Sequence, residues 1–205
     1  MAEGTVTARV RLDSERPDSS AGPAADSAQG RLASVSAARA LVGDAFAGII
    51  LFDPGTEALP GLPGDDLFDG DSALLQTVRA RSIDGEVHMA FLWPNGDDPG
   101  VRSHVRVTYL APTEEPVPGL LGIVMLSPAG AGRGLTPREL EVLGMMVEGQ
   151  SNQQIAGALV VTLRTVATHV EHILAKLSSP TRTHAAVHAQ REGLYVPAIS
   201  RASSG

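Results

Sequence analysis

Residues 134–194, GLTPRELEVLGMMVEGQSNQQIAGALVVTLRTVATHVEHILAKLSSPTRTHAAVHAQREGL, are punctuated by helix start and stop signals so densely that few folds remain open to them. Thr136 can cap a helix, Pro137 fits its first position, and Glu139 completes a capping box. Leu135 and Leu140 are spaced for a hydrophobic staple. Leu140, Leu143 and Val147 follow at helical spacing with Met146 beside them, and Gly149 supplies the left-handed stop. Ser151 opens a second helix, with Gln154 at the capping-box position and Ile155 and Leu159 on its buried side. Small Ala156 lets another helix approach. Val160 and Val161 are the turn, and Thr162 caps a third helix that Val161 and Val166 can staple. A fourth spans residues 182–192 and ends at Gly193. Two helices joined by so few residues must cross steeply, as in a helix-turn-helix.

The third helix covers about residues 163–177. At about 100° per residue, Leu163, Val166, Val170, Ile173, Leu174 and Leu177 form one stripe. The opposite side carries Arg164, Thr165, Thr168, His172 and Ala175, flanked by His169, Glu171 and Lys176. A helix of this kind fits the major groove of double-stranded DNA, with its N-terminal part nearest the base edges. Spacing alone leaves open a merely solvated face on an ordinary bundle.

The motifs LTPRELEVL, EGQSNQQIA, TVATHVEHILAKL and the RT of SPTRT, in that order, resemble the LuxR-type (FixJ- or NarL-type) C-terminal DNA-binding domain. The resemblance covers roughly sixty residues, under a third of the chain. It implies a four-helix domain whose third helix reads DNA and whose fourth often makes a dimer contact. It also implies that the two preceding helices, Gln153 among their residues, brace the reading helix and touch phosphates. In this chain the fourth helix offers His184, Val187, His188 and Arg191 for a homodimer contact. The sequence departs from the family pattern at Ala167, where many members carry Lys, and at Glu171, where a basic residue is common. Both changes remove positive charge, so non-specific DNA affinity should be weak. Glu171 either accepts from a cytosine amino group or lies on the surface paired with His172 or Lys176.

His169 and His172, and His184 and His188, have helical spacing. With no cysteine and no acidic residue completing a ligand set, no metal site is expected. No cofactor motif, nucleophile elbow, phosphate loop or HExxH helix occurs, so no enzyme is expected.

The 205 residues suit two small domains, and 43% apolar residues suffice for two modest cores. The absence of cysteine fits a reducing cytoplasm, and no signal core or membrane-length apolar run is present. Net charge is −7, with residues 134–205 holding six basic and five acidic side chains and residues 1–133 ten and eighteen. The acidity therefore belongs to the N-terminal part, and the C-terminal domain must present its few cations locally. One lysine against fifteen arginines, with abundant Ala and Gly, points to a GC-rich genome of the actinobacterial kind.

The fold expected is α+β: an N-terminal antiparallel-sheet domain, PAS- or GAF-like, followed by the all-α domain. Residues 1–30 read as a disordered tail with a possible short strand at 5–12. The α+β domain covers 31–128, a linker 129–133, the DNA-binding domain 134–197 and a disordered tail 198–205. Within 31–128 the pattern gives a helix through Leu32, Val35, Ala38, Leu41 and Val42, a strand at 48–53, and an acidic turn-rich loop at 54–70. A helix capped by Asp71 and strands at 86–93, 101–110 and 119–127 follow. Phe52, His88, Phe91, Trp93 and Tyr109 are candidates to line a small-molecule pocket, although core or edge roles are the plainer reading. A phosphoacceptor receiver is disfavoured because no lysine precedes Lys176. The acyl-homoserine-lactone domain of quorum-sensing relatives is disfavoured because Trp93 is the only tryptophan. Two other binding roles remain open: a sigma-factor-type promoter module, against which the KL…RT motif and the fourth helix argue, and a protein-interaction module with a decayed DNA-binding face.

Overall fold

The computed structural model describes residues 42–70, 72–95, 103–112, 118–130 and 132–198. The expected tail and strand within 1–30, the helix before Val42 and the tail beyond Ala198 lie outside them.

Five strands form one antiparallel sheet: β1 (Ala47–Phe52), β2 (Thr56–Ala58), β3 (His88–Asn95), β4 (Ser103–Leu110) and β5 (Leu120–Pro128), in the order β2-β1-β5-β4-β3. Among the described residues, the expected strand, helix and three further strands occur in the expected order, with strand boundaries moved by one or two residues. The loop at 54–70 is a correction. It holds β2 and a 3-10 turn at Asp66–Phe68. β2 is three residues long and exposed throughout, so it leaves no apolar alternation to read. A second correction concerns α1 (Ala73–Ile83), which is capped by Ser72 rather than by Asp71. The Ser72 hydroxyl accepts from the Leu75 N–H at 3.3 Å and donates to the Leu67 carbonyl at 2.7 Å.

Alternation along the strands sends side chains to two faces, and both are covered. Ile49, Leu51, Val124, Val107, Tyr109, Phe91 and Trp93 share one face with Leu74, Leu75 and Val78 of α1. Ile50, Ile123 and Met125 share the other with Leu59. Burial on both faces explains why β1 and β5 read as unbroken apolar runs.

Among the described residues four helices follow: α2 (Pro137–Val147), α3 (Asn152–Leu159), α4 (Leu163–Lys176) and α5 (Arg182–Glu192). They pack against the free edge of β3 through the segment that follows α5. The Leu92 N–H donates to the Tyr195 carbonyl at 2.8 Å, and the Tyr195 ring lies 6.5 Å from that of Phe91. Val196 packs with Leu92 and Leu140. Arg106 donates to the Glu192 carbonyl at 2.6 Å, and Arg81 reaches the Tyr195 hydroxyl at 3.3 Å and Glu148 at 3.2 Å. Covering β3 in this way removes an edge that could pair with another chain. No single helix among the described residues is long and apolar enough to cross a membrane.

The docking depends on Gly144 in α2. A Cβ there would lie 1.8 Å from the Val196 carbonyl oxygen. Helix propensity alone would make Gly144→Ala stabilising by about 1 kcal/mol. The collision instead predicts a net loss of about 1–3 kcal/mol, read as a lower thermal midpoint. A raised midpoint would contradict the close approach.

Candidate nucleic-acid interface

The helix-turn-helix is built from its caps. The Thr136 hydroxyl accepts from the Glu139 N–H at 3.3 Å while the Glu139 carboxylate accepts from the Thr136 N–H at 2.6 Å. Ser151 and Gln154 repeat the arrangement at 3.3 and 2.7 Å. Thr162 accepts from the Thr165 N–H at 3.1 Å, and Thr181 from the His184 N–H at 3.1 Å. The axes of α3 and α4 turn through 111°, within the range of a helix-turn-helix. The turn is made at Val160, in the left-handed region at φ 54° and ψ 47° and 90% exposed. A β-branched residue is strained there, at a cost of order 1–3 kcal/mol.

Val166 and Ile173 of α4 and Leu177 just beyond it are buried with Ile155, Ala156, Val142, Leu143 and Ala185, and Val170 and Leu174 are partly buried against them. Leu163 does not join this stripe and is 55% exposed. It stands at the first residue of α4, past the end of the surface that α2 and α3 provide.

The outer face of α4 carries Arg164, Thr165, Thr168, Glu171, His172 and Ala175, all exposed, with His169 half-buried at its margin. The Thr165 hydroxyl lies 2.9 Å from that of Thr162, and the Thr168 hydroxyl donates to the Arg164 carbonyl at 3.1 Å. Gln153 is exposed on α3. Lys176 is committed elsewhere: its ammonium lies 2.7 Å from the carboxylate of Glu139, and His172 Nδ1 lies 3.8 Å from the other oxygen of that group. Neither pairs with Glu171, the pairing that sequence spacing allowed.

Glu139, 3% exposed, was legible in sequence only as a cap. Its longer-range role joins α2 to the end of α4, which local spacing cannot reveal. Burial pushes its carboxyl up. The Lys176 ammonium, the Thr136 N–H and hydroxyl, and the charge of Lys176 together bring it below the ordinary glutamate value.

Most other cations are likewise bound within the fold. Arg138 pairs with Glu141 at 2.7 Å and donates to the Leu159 carbonyl at 3.1 Å. Arg182 donates to Asn152 at 2.7 Å and to the Gln150 carbonyl. Among the described residues, the arginines without such a partner are Arg164 and Arg191, and only Arg164 lies on the outer face of α4.

On α5, Val187 is exposed, as are His184 and Arg191. His184 Nδ1 lies 3.0 Å from the Ser179 hydroxyl, and His188 Nε2 lies 3.0 Å from Glu192. Among the described residues no group of three or more His, Cys, Asp or Glu side chains is placed to hold a metal ion. Three of the aromatic candidates in the sheet pack together, with the Phe91 and Trp93 rings 6.2 Å apart. Phe91, Trp93 and Tyr109 are buried in the main core, where the Tyr109 hydroxyl donates to the Leu121 carbonyl at 2.6 Å. Phe52 packs in the second cluster, and His88 is exposed.

Because the folded value of Glu139 is depressed, its contribution is complete above the unfolded value of about 4.3 and is lost as pH falls through the lower folded value. Glu139→Gln keeps an acceptor for the cap and removes the charge. It should cost about 1–2 kcal/mol at pH 7, a range reduced because Lys176 reaches solvent. The difference from the parent protein should shrink as pH falls through the lowered folded value. A deficit unchanged in acid would assign the loss to packing.

Residues 133–189 match the family profile described as bacterial regulatory proteins, luxR family. The transcriptional regulatory protein LiaR of Bacillus subtilis is 48% identical over 60 residues, 29% of this chain and 28% of that protein. The response regulator protein VraR of Staphylococcus aureus is 47% identical over 60 residues, 29% of each chain. The match thus spans less than a third of either relative. A solved structure of the Vibrio cholerae VqmA dimer aligns over 67% of this chain and 75% of its own, at 18% identity and a TM-score of 0.31. The helix-turn-helix built by α2 to α5 is a domain of the luxR family of bacterial regulatory proteins.

Proposed function

We propose that this chain is a sequence-specific transcriptional regulator that reads the major groove of double-stranded DNA with α4. The observation that carries the reading is the placement of Arg164, unpaired and outward, in the first turn of the second helix of a luxR-family helix-turn-helix. Thr165 and Thr168 extend the same surface, and the exposed Gln153 lies on the bracing helix, suited to a phosphate. Lys176 and Arg138 hold the helices in register. The sheet domain serves as a sensory or dimerising part, docked to the reader through Tyr195, and a small molecule bound there would act through that contact. The protein acts in the cytoplasm as a homodimer, at least on DNA, with His184, Val187, His188 and Arg191 on α5 or the sheet domain at the contact. No catalysis is assigned to it.

The scarcity of free cations favours one second reading, a protein-interaction module whose DNA-binding face has decayed. DNA binding measured against salt separates the two.

Arg164→Ala should weaken binding to a selected duplex by about 1–3 kcal/mol if Arg164 reads guanine, and by less if it meets a phosphate. Binding unchanged after replacing Arg164, Thr165 and Thr168 together would remove α4 from the interface. The slope of log affinity against log salt should be shallow, and Ala167→Lys should steepen it by about 0.9 while raising affinity for all sequences. An unchanged slope would turn position 167 away from the backbone. In footprinting, two protected half-sites are expected, and Val187→Glu should lower cooperativity without unfolding the exposed face of α5. A single half-site protected by one chain would refute the dimer.

A further inference from the structure

Glu171 is an exposed carboxylate that no side chain among the described residues pairs with. Its two neighbours of suitable charge are drawn to Glu139, Lys176 at 2.7 Å and His172 at 3.8 Å, so the helix leaves the Glu171 side chain free to meet a ligand. Its position on α4 follows from helix geometry. Glu171 is seven residues beyond Arg164, which places it within about 20° of Arg164 around the axis and about 10.5 Å further along it. Thr168 lies between them on the same stripe, opposite the buried Val166 and Ile173. An unpaired carboxylate is an acceptor only, and near phosphates it is repelled unless it finds a donor.

The major groove offers few such donors. Guanine presents two acceptors there, and thymine an acceptor and a methyl group. Adenine pairs its amino group with an adjacent N7 acceptor that repels a carboxylate. Cytosine presents the amino donor alone. Resting on the DNA-reading role proposed for α4, we infer that Glu171 is a specificity-determining residue that selects cytosine. Where Arg164 reads a guanine, the cytosine lies about three base-pair steps from it, since a spacing of about 10.5 Å spans about three steps of 3.4 Å. Glu171 lowers affinity for DNA in general and restores it only where that cytosine stands, so discrimination rises as non-specific binding falls.

The test is enrichment of bound duplexes from random sequence by the full chain and by Glu171→Gln and Glu171→Ala, with thermal midpoints taken alongside. Both variants alter an exposed side chain, so their midpoints should match that of the parent protein. The parent should enrich cytosine at one position about three steps from a guanine. Glu171→Gln should move that position alone to adenine, which a glutamine amide can meet with two hydrogen bonds, and Glu171→Ala should erase the preference there. Replacing the cytosine in the enriched site should weaken the parent by about 5- to 150-fold and leave Glu171→Ala nearly unaffected. If Glu171→Gln binds every sequence more tightly with its motif unchanged, the residue faces the backbone and the assignment is overturned. If the parent enriches no sequence, the DNA-reading role itself fails and this assignment falls with it, an outcome distinct from a motif that does not shift.

Discussion

One buried carboxylate sets the direction of the helix on which the functional reading depends. Glu139 accepts from the Thr136 backbone at one end of α2 and holds the Lys176 ammonium at the far end of α4. An ion in that position is costly unless every partner is in place, and here each partner belongs to a different part of the domain. The result is a fixed crossing of α2 and α4 that turns Arg164, Thr168 and Glu171 together toward solvent. The caps at Ser151 and Thr162 set where α3 and α4 begin, and the left-handed Val160 that ends α3 sets the steep turn.

The same bonds that fix the helices consume their positive charge. Arg138, Arg182 and Lys176 are bound to carbonyls, an amide or carboxylates of the domain, and Arg106 and Arg133 are bound to Glu192 at the sheet interface. A surface with so few free cations cannot rely on counterion release for affinity. On the proposed reading, base contacts and the pairing of two half-sites would supply what it lacks in charge. The docked sheet leaves the outer face of α4 open, so the two parts of the chain can be coupled through Tyr195 without the reader being covered.

How much of this was legible in sequence varies with the range of the interaction. Every cap of the helical domain is a local pattern, and Thr136, Ser151 and Thr162 all stand where the spacing placed them. β1 and β5 were legible because a sheet buried on both faces leaves continuous apolar runs, and β4 because its polar and apolar residues alternate. β2 was not, because three exposed residues carry no alternation. Ser72 displaced Asp71 as a cap because both residue types suit the position and only the neighbouring Leu67 carbonyl decides between them. The ion pair of Glu139 with Lys176 joins residues far apart in the chain, and the closeness of Gly144 to Val196 depends on how the segment after α5 folds back onto α2. No periodicity encodes either. Phe91, Trp93 and Tyr109 are buried in the core, the plainer of the two roles their sequence pattern allowed.

The central claim is that the outer face of α4, held by Glu139, is the surface that meets DNA. Amide chemical-shift mapping of the full chain during titration with a duplex enriched from random sequence tests it most directly. The account predicts shifts concentrated at Gln153, Arg164, Thr165, Thr168 and Glu171, with the exposed Ile83 and Val87 at the sheet unmoved. Shifts centred on the sheet, with α4 silent, would contradict it.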